Sequence, residues 1–125
     1  MDMTGQEFNG VEDIGFVLRK LGKLGDKDSK APSYGEASYW EARYEKAGME
    51  ASFDWLESYA TLKDHLAIFM PSTDVKVLIL GCGNAGFSED LYDAGYENIV
   101  NVDISEVVIK QMAERNAEKR PNLKF

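Results

Sequence analysis

At 125 residues, 44% of them hydrophobic, the chain is long enough for one small domain with a core of its own. Its formal net charge of −8 argues against a nucleic-acid partner, because neutralising phosphates takes clustered Lys and Arg. No apolar run approaches the ~20 residues of a membrane span, and the N-terminus has no signal-peptide pattern. The single cysteine, Cys82, excludes an internal disulfide, so a cytoplasmic protein without a membrane partner is expected.

The first predicted element is an amphipathic helix over residues 11 to 24. Its apolar residues recur at intervals of three and four, which is the spacing of one helical face: Val11, Ile14, Val17, Leu18, Leu21 and Leu24. Residues 25 to 33 are rich in Gly, Pro, Ser and charged residues and are predicted to be a linker. The predicted division is therefore an N-terminal helix with its linker over 1–33, which forms an appendage, and a single domain that begins at residue 34 and runs to 125.

An aromatic segment, residues 34–44, lies at the start of the domain. A short helix is expected here, with Ser38 as its N-cap and an end near Gly48. Trp40 and Tyr44 are four residues apart and should stack on one helical face, with Arg43 beside them. Such dense aromatic residues fit either a buried core or a cap over a ligand, where each ring face would hold a sulfonium cation by roughly 0.5–2 kcal/mol.

The next helix is predicted to open at residues 53–55, with Asp54 as a possible N-cap, and to end at Pro71. Six apolar residues form its expected buried stripe: Leu56, Tyr59, Leu62, Leu66, Phe69 and Met70. This helix is predicted to be structural.

Alternating strands and helices are predicted for the rest of the chain. Strand one, residues 75–80, is apolar at nearly every position, as a strand buried on both faces should be. A helix over 85–94 follows, with Gly95 as its C-cap, and then strand two over 98–102. Ser105 is predicted to cap a second crossover helix running towards Lys119, after which residues 123–125 begin a third strand.

Three glycines with the spacing G-x-G-x-x-G follow strand one, and an acid ends strand two. Gly81 allows a sharp turn, Gly83 allows backbone to approach a ligand, and Gly86 allows the next helix to pack closely. Asp103 offers a carboxylate to a ribose diol. The pattern predicts an adenosine-containing cofactor, either a dinucleotide or S-adenosylmethionine. Cys82 and His65 have no companions at metal-ligand spacing, so neither a metal site nor a cysteine nucleophile is predicted.

Four segments together resemble class I S-adenosylmethionine-dependent methyltransferases. They are Tyr-Trp-Glu-Ala-Arg-Tyr at 39–44, Phe-Asp-Trp at 53–55, Leu-Ile-Leu-Gly-Cys-Gly-Asn at 78–84 and Val-Asp-Ile-Ser at 102–105. The sequence is most similar to eukaryotic protein-lysine methyltransferases related to those that modify translation elongation factor one alpha. The resemblance covers about residues 34 to 125, and it implies an α/β fold with a Rossmann-like sheet preceded by N-terminal helices.

The resemblance also implies roles for individual residues. Trp40, Tyr44 and Trp55 would line the methionine side of an S-adenosylmethionine pocket, and Arg43 would meet the cofactor carboxylate. The remaining cofactor-binding residues implied are Gly81 and Gly83 at the amino-acid portion, Asp103 at the ribose hydroxyls and Ile104 against the adenine. No catalytic residue is implied within this stretch.

The sequence departs from the class I pattern in two ways. Ile79 stands where many members have an acid in strand one, although the subfamily that it resembles tolerates an apolar residue there. Complete class I sheets have seven strands, so this chain is expected to be truncated after the start of strand three, carrying the cofactor-binding half only. Strand one would then be an apolar edge, and self-association through Val75–Leu80 is expected.

The function implied is therefore a protein-lysine N-methyltransferase acting on a protein substrate such as a translation factor. The resemblance does not imply that these 125 residues are active by themselves. Two other hypotheses remain open. The glycines and Asp103 also fit a fragment of an NAD-binding oxidoreductase, which leaves the aromatic segment unexplained, and a non-catalytic short isoform could act as an interaction module.

Overall fold

Residues 31–125 are described by a computed structural model, and the predicted helix over 11–24 lies outside them. The described chain contains four helices and two strands: α1 Ala37–Ala47, α2 Tyr59–Phe69, β1 Val77–Leu80, α3 Phe87–Asp93, β2 Ile99–Val102 and α4 Glu106–Asn116. The α/β class is as predicted, while the domain boundary at 33/34 stays a prediction. None of the helices within residues 31–125 is long and apolar enough to cross a membrane.

The two strands are parallel and connected through α3. Their register pairs Val77 with Ile99 and Leu80 with Val102. On the far side of β2, Lys124 forms a parallel bridge with Val100, and the Lys124 carbonyl accepts a hydrogen bond of 2.8 Å from the Asn101 amide. The chain therefore begins to pair as a third strand where the sequence predicted one.

The sheet buries only one of its faces, which corrects the expectation for strand one. Val77 and Ile79 are half-buried, whereas Leu78 is 60% exposed and Leu80 is 75% exposed. Val100 and Val102, their partners in register, are also exposed. The physical reason is that the described helices pack on the side of Ile79, and no described element covers the other face.

Two apolar clusters hold the helices in place. The first lies between the sheet, α2 and α3 and is built on Leu91, Tyr96, Ile99 and Leu123. The second lies between α1 and α4 and is built on Tyr44, Val108 and Met112. Because full burial of a large apolar side chain stabilises the fold by roughly 1.5–3 kcal/mol, the second cluster contributes to docking α1 against α4.

The helix starts agree with the sequence in one case and differ in two. Ser105 caps α4 as predicted, since its hydroxyl accepts a hydrogen bond from the Val108 amide at 3.2 Å. Ser38 is not a cap, because it lies within α1, which begins at Ala37. The N-cap position is Glu36, whose side chain makes no capping hydrogen bond. Asp54 is not a cap either, because residues 51–58 form a loop and α2 begins only after Ser58.

The expected stripe of the second helix is half-buried rather than buried: Tyr59, Leu62, Leu66 and Met70 are partly covered, whereas Leu56 and Phe69 are exposed. No residue of α2 is buried, and Phe69 is 82% exposed. Leu56 precedes the helix and is 94% exposed. Only the edge of α2 that carries Tyr59, together with Met70 just beyond it, packs against the first cluster. Helical spacing therefore identified the element but not the extent to which it would be covered.

Candidate functional site

The chain turns from β1 into α3 through two glycines in the left-handed region. Gly81 has a φ of +66° and Gly83 has a φ of +52°, which side chains rarely adopt. Between them, the Cys82 amide donates to the Val102 carbonyl at 3.0 Å, which extends the ladder by one bond beyond the strands. No atom lies within 4 Å of the position that a Cβ at Gly81 would take, so the backbone there is open to a ligand.

Gly83 lies against the protein's own Tyr44. A Cβ at this position would lie 2.6 Å from the hydroxyl of Tyr44, so this contact alone already favours glycine, and the predicted approach of a cofactor to the Gly83 backbone stays a prediction. Gly86 is not needed for close packing, because its φ is −74° and its Cβ would meet only Ser52 Oγ at an ordinary 3.6 Å. The first two glycines therefore shape the turn, and the third does not.

Asp103 joins the glycine turn to the start of α4. Its Oδ2 accepts a hydrogen bond from the Gly83 amide at 2.8 Å, and its Oδ1 accepts one from the Ser105 amide at 2.9 Å. A carboxylate has about four acceptor positions, so each oxygen keeps one for a further donor. The carboxylate is thus held by backbone in one orientation and can still accept hydrogen bonds from a diol.

The aromatic helix α1 forms the opposite wall. Trp40 and Tyr44 stack as predicted, with ring centroids 6.2 Å apart and planes inclined by 26°. Gln111 of α4 donates to the Tyr44 carbonyl at 3.1 Å. Burial raises the pKa of the Tyr44 phenol above its usual value, and the negative charge of Asp103 raises it further. The hydroxyl is therefore neutral at pH 7.

A cavity of about 360 Å³ lies between these two walls. Its lining residues are Trp40, Tyr44, Trp55, Gly81, Asp103 and Ile104. Six of the seven cofactor-binding residues predicted from the sequence are therefore brought together, and the seventh, Gly83, lies against Tyr44 and Asp103. Their individual contacts with a cofactor stay predictions.

Arg43 is half-buried against the aromatic wall and is not among the residues that line the cavity. Its guanidinium carbon is 5.1 Å from the centroid of Trp55 and 5.7 Å from that of Trp40. Such contacts are worth roughly 0.5–1 kcal/mol at exposed sites, so the arginine helps to hold the two indoles together. Its predicted contact with a cofactor carboxylate stays a prediction.

A second and larger cavity, of about 480 Å³, lies at the opposite end of the sheet. It is bordered by the segments that precede the strands, including Thr73, Asn98 and Asn122. Ligands of open α/β sheets bind beyond the carboxyl ends of the strands, and the second cavity lies at the amino ends. The cavity beside Gly81 is therefore the candidate site despite its smaller volume.

The described residues offer no metal site and no activated cysteine. No group of three or more His, Cys, Asp or Glu side chains in residues 31–125 is arranged to hold a metal ion. Burial, and next the nearby charge of Asp103, raise the pKa of the Cys82 thiol to about 12. Because a thiolate is the reactive form, the buried Cys82 stays in its less reactive thiol form at neutral pH.

The residues whose contacts hold the two cavity walls in place were not predicted from the sequence. Arg115 of α4 forms an ion pair of 2.8 Å with Glu89 of α3 and donates to the Ala51 carbonyl at 2.8 Å. It thereby anchors the loop that carries Trp55. Glu41 of α1 accepts hydrogen bonds from the amides at the start of α4. Their partners are 26 to 66 residues away, so no local pattern marked them.

A parallel strand, a left-handed glycine turn, a helix and a second strand that ends in an acid form an α/β unit, an arrangement that also occurs in nucleotide-binding folds. No protein-family model matches the chain. Its relatives include the "eEF1A lysine and N-terminal methyltransferase" of Mus musculus, which is 48% identical over 99 residues, and that of Homo sapiens, 48% identical over 92 residues. The "EEF1A lysine methyltransferase 4" of Bos taurus is 33% identical over 84 residues.

The chain is therefore a homologue of part of these methyltransferases, and the predicted resemblance is confirmed. The aligned segments cover 79%, 74% and 67% of this chain respectively. They cover only 14%, 13% and 32% of the three relatives. The chain thus spans a small part of the length of the curated proteins that it matches.

Proposed function

We propose that the cavity beside Gly81 binds S-adenosylmethionine and that the chain is the cofactor-binding part of a protein-lysine N-methyltransferase. The observation that carries the proposal is the cavity itself. It joins a glycine turn, a backbone-oriented carboxylate and an aromatic wall, in a chain related to methyltransferases.

The residues present fit this cofactor. A volume of about 360 Å³ falls within the ~300–1,000 Å³ usual for small-molecule sites. The open backbone at Gly81 suits the amino-acid portion of the cofactor, and the two free acceptor positions of Asp103 suit the ribose hydroxyls. Ile104 is 57% exposed next to Asp103, so an adenine ring placed there would cover apolar surface.

The aromatic wall suits the charged sulfur of the cofactor. Trp40, Tyr44 and Trp55 line the cavity, and a cation gains roughly 0.5–2 kcal/mol from a well-placed ring face. When bound, S-adenosylmethionine supplies an electrophilic methyl group. The part of this chain in the reaction is to orient that methyl group and to exclude water from it.

The acceptor is proposed to be a lysine of a translation factor. The relatives are named for eEF1A. The amine of an acceptor lysine has an ordinary pKa of ~10.4, so its deprotonation at pH 7 costs about 4–5 kcal/mol. Groups that lower this cost would have to lie close to the methyl group on the open side of the cavity. The acceptor protein and its lysine belong to the activity of the whole protein and are proposals here.

Calorimetric titration tests the cofactor. The chain should bind S-adenosylmethionine or S-adenosylhomocysteine, and NAD should bind at least tenfold more weakly. Asp103→Asn should weaken binding, because the amide nitrogen cannot accept from a hydroxyl. Asp74→Asn, at the second cavity, removes the same charge and should leave binding unchanged. Preferential binding of NAD would favour the oxidoreductase hypothesis, and binding of neither would favour a non-catalytic interaction module.

Methyl transfer tests the acceptor. Radiolabelled S-adenosylmethionine incubated with a longer form of the protein and purified eEF1A should label lysine, and Asp103→Asn should reduce the labelling. Labelling of nucleic acid or small molecules, with none on protein, would contradict the proposed substrate class.

Self-association is proposed through the strand segment Val75–Leu80. The outer edge of β1 has no partner strand within residues 31–125, and Leu80 adds exposed apolar surface to that edge. Unpaired apolar edges of this kind pair with other strands. Light scattering should detect a dimer or larger species, and Leu80→Lys should shift it towards the monomer. A monomeric unsubstituted chain at high concentration would contradict this proposal.

A further inference from the structure

The amino end of α4 is closed by side chains of the protein. The first amides of a helix have no partners within the helix and require other acceptors. Here the Ser105 amide donates to Asp103 and the Val108 amide donates to the Ser105 hydroxyl. The two amides between them donate to Glu41: Glu106 N to Oε1 at 2.6 Å and Val107 N to Oε2 at 3.1 Å.

This double hydrogen bond joins the two walls of the cavity. Glu41 directly follows Trp40 in α1, and the amides that it binds follow Asp103 and Ile104 by only two to four residues. One carboxylate therefore fixes the aromatic wall against the segment that carries the proposed ribose and adenine contacts. Tyr44 and Gln111 reinforce the same helix pair one turn further along.

We propose that Glu41 is a positioning residue of the cofactor site, which sets the separation of the two cavity walls without touching the cofactor. This inference rests on the proposed function. A carboxylate suits the task because it accepts from two amides at once and its charge is favoured at the positive end of a helix. A glutamine of the same shape would turn its NH₂ group towards one of the amides and lose that bond.

Glu41→Gln is the variant that tests the proposal, and Glu45→Gln is its matched control. Glu45 is one turn away on α1, is exposed and makes no side-chain hydrogen bond within the described residues, so the control repeats the change of net charge. Affinity for S-adenosylhomocysteine should fall about tenfold or more in Glu41→Gln and stay unchanged in Glu45→Gln. Affinities are measured well below the unfolding transition of each variant, so a loss of stability alone would leave them unaltered.

Amide hydrogen exchange gives a readout that needs no cofactor. In Glu41→Gln the amides of Glu106 and Val107 should exchange at least tenfold faster than in the unsubstituted chain, while those of β2 keep their protection. Equal affinity, or unchanged exchange at these two amides, would overturn the proposal for Glu41 alone. Failure of the unsubstituted chain to bind any S-adenosyl ligand would instead overturn the proposed function together with the role given to Glu41.

Discussion

Two helices of equal length, α1 and α2, differ in how they are held. Each has eleven residues. The aromatic but highly charged α1 buries Tyr44 and is bound to α4 through Glu41 and Gln111. The more apolar α2 buries none of its residues and leaves Ile68 and Phe69 exposed. Apolar content alone therefore did not decide which helix docks firmly.

The difference follows from what each helix meets. α1 meets a helix that offers both apolar side chains, Val108 and Met112, and two amides at its amino end that donate to Glu41. α2 meets the edge of α3, where only Tyr59 finds a partner ring, with its centroid 6.1 Å from that of Phe87. The cavity lies beside α1, so the candidate site adjoins the more firmly held of the two helices.

Truncation of Met112, in the cluster between α1 and α4, should have the largest effect on the free energy of unfolding. Met112 is 1% exposed and packs against Tyr44, so Met112→Ala should lower the free energy of unfolding by about 2–5 kcal/mol. Phe69→Ala in α2 removes a larger side chain that is 82% exposed and should change it by less than about 0.5 kcal/mol. Urea denaturation measures both, and equal costs would show that α2 is docked as firmly as α1.

Substitution of the turn glycines should have the next largest effect. Gly83→Ala places a Cβ against the Tyr44 hydroxyl at a φ of +52°, and should cost about 1–3 kcal/mol and weaken cofactor binding by displacing Tyr44. Gly86→Ala is the matched control, because a Cβ fits there at an ordinary φ, and it should be neutral or slightly stabilising. Thermal unfolding with and without S-adenosylhomocysteine separates the two effects; a neutral Gly83→Ala would show that Tyr44 yields easily.

Raising the pH from about 8 to about 10 should have the smallest of the three effects, because only part of the stability linked to Cys82 is lost in this range. The Cys82 thiol ionises near pH 9.0 when unfolded, and folding raises its pKa to about 12. Stability from this group is therefore complete below pH ~9 and is lost as the pH rises from there towards 12. The raised pKa of Tyr44 acts in the same direction.

Cys82→Ala isolates this contribution. The variant should lose less stability between about pH 8 and pH 10 than the unsubstituted chain, as measured by urea denaturation at each pH. His65→Gln, on the exposed part of α2, should follow the unsubstituted chain over this range. Identical pH profiles for Cys82→Ala and the unsubstituted chain would contradict the burial of the thiol beside Asp103.

Much of the site was predictable because its residues lie next to the turns that place them. Gly81 and Asp103 follow parallel strands, and the carboxyl ends of such strands meet at one edge of a sheet. Trp40 and Tyr44 share a helical face through their spacing. Glu41 and Arg115 were not predictable, because a surface carboxylate or guanidinium in a helix has many possible partners and the sequence does not state which one it will meet.

The order of helices and strands, the turn at the glycines and the acid at the end of strand two could be predicted, because these follow from spacing and backbone preference within a few residues. The contact of Tyr44 with Gly83, the exposure of most of α2 and the hydrogen bonds from α4 to Glu41 arise only in the folded protein. These outcomes depend on which surfaces meet across 39 to 66 residues of chain, and burial and hydrogen bonding over such separations are properties of the packed molecule.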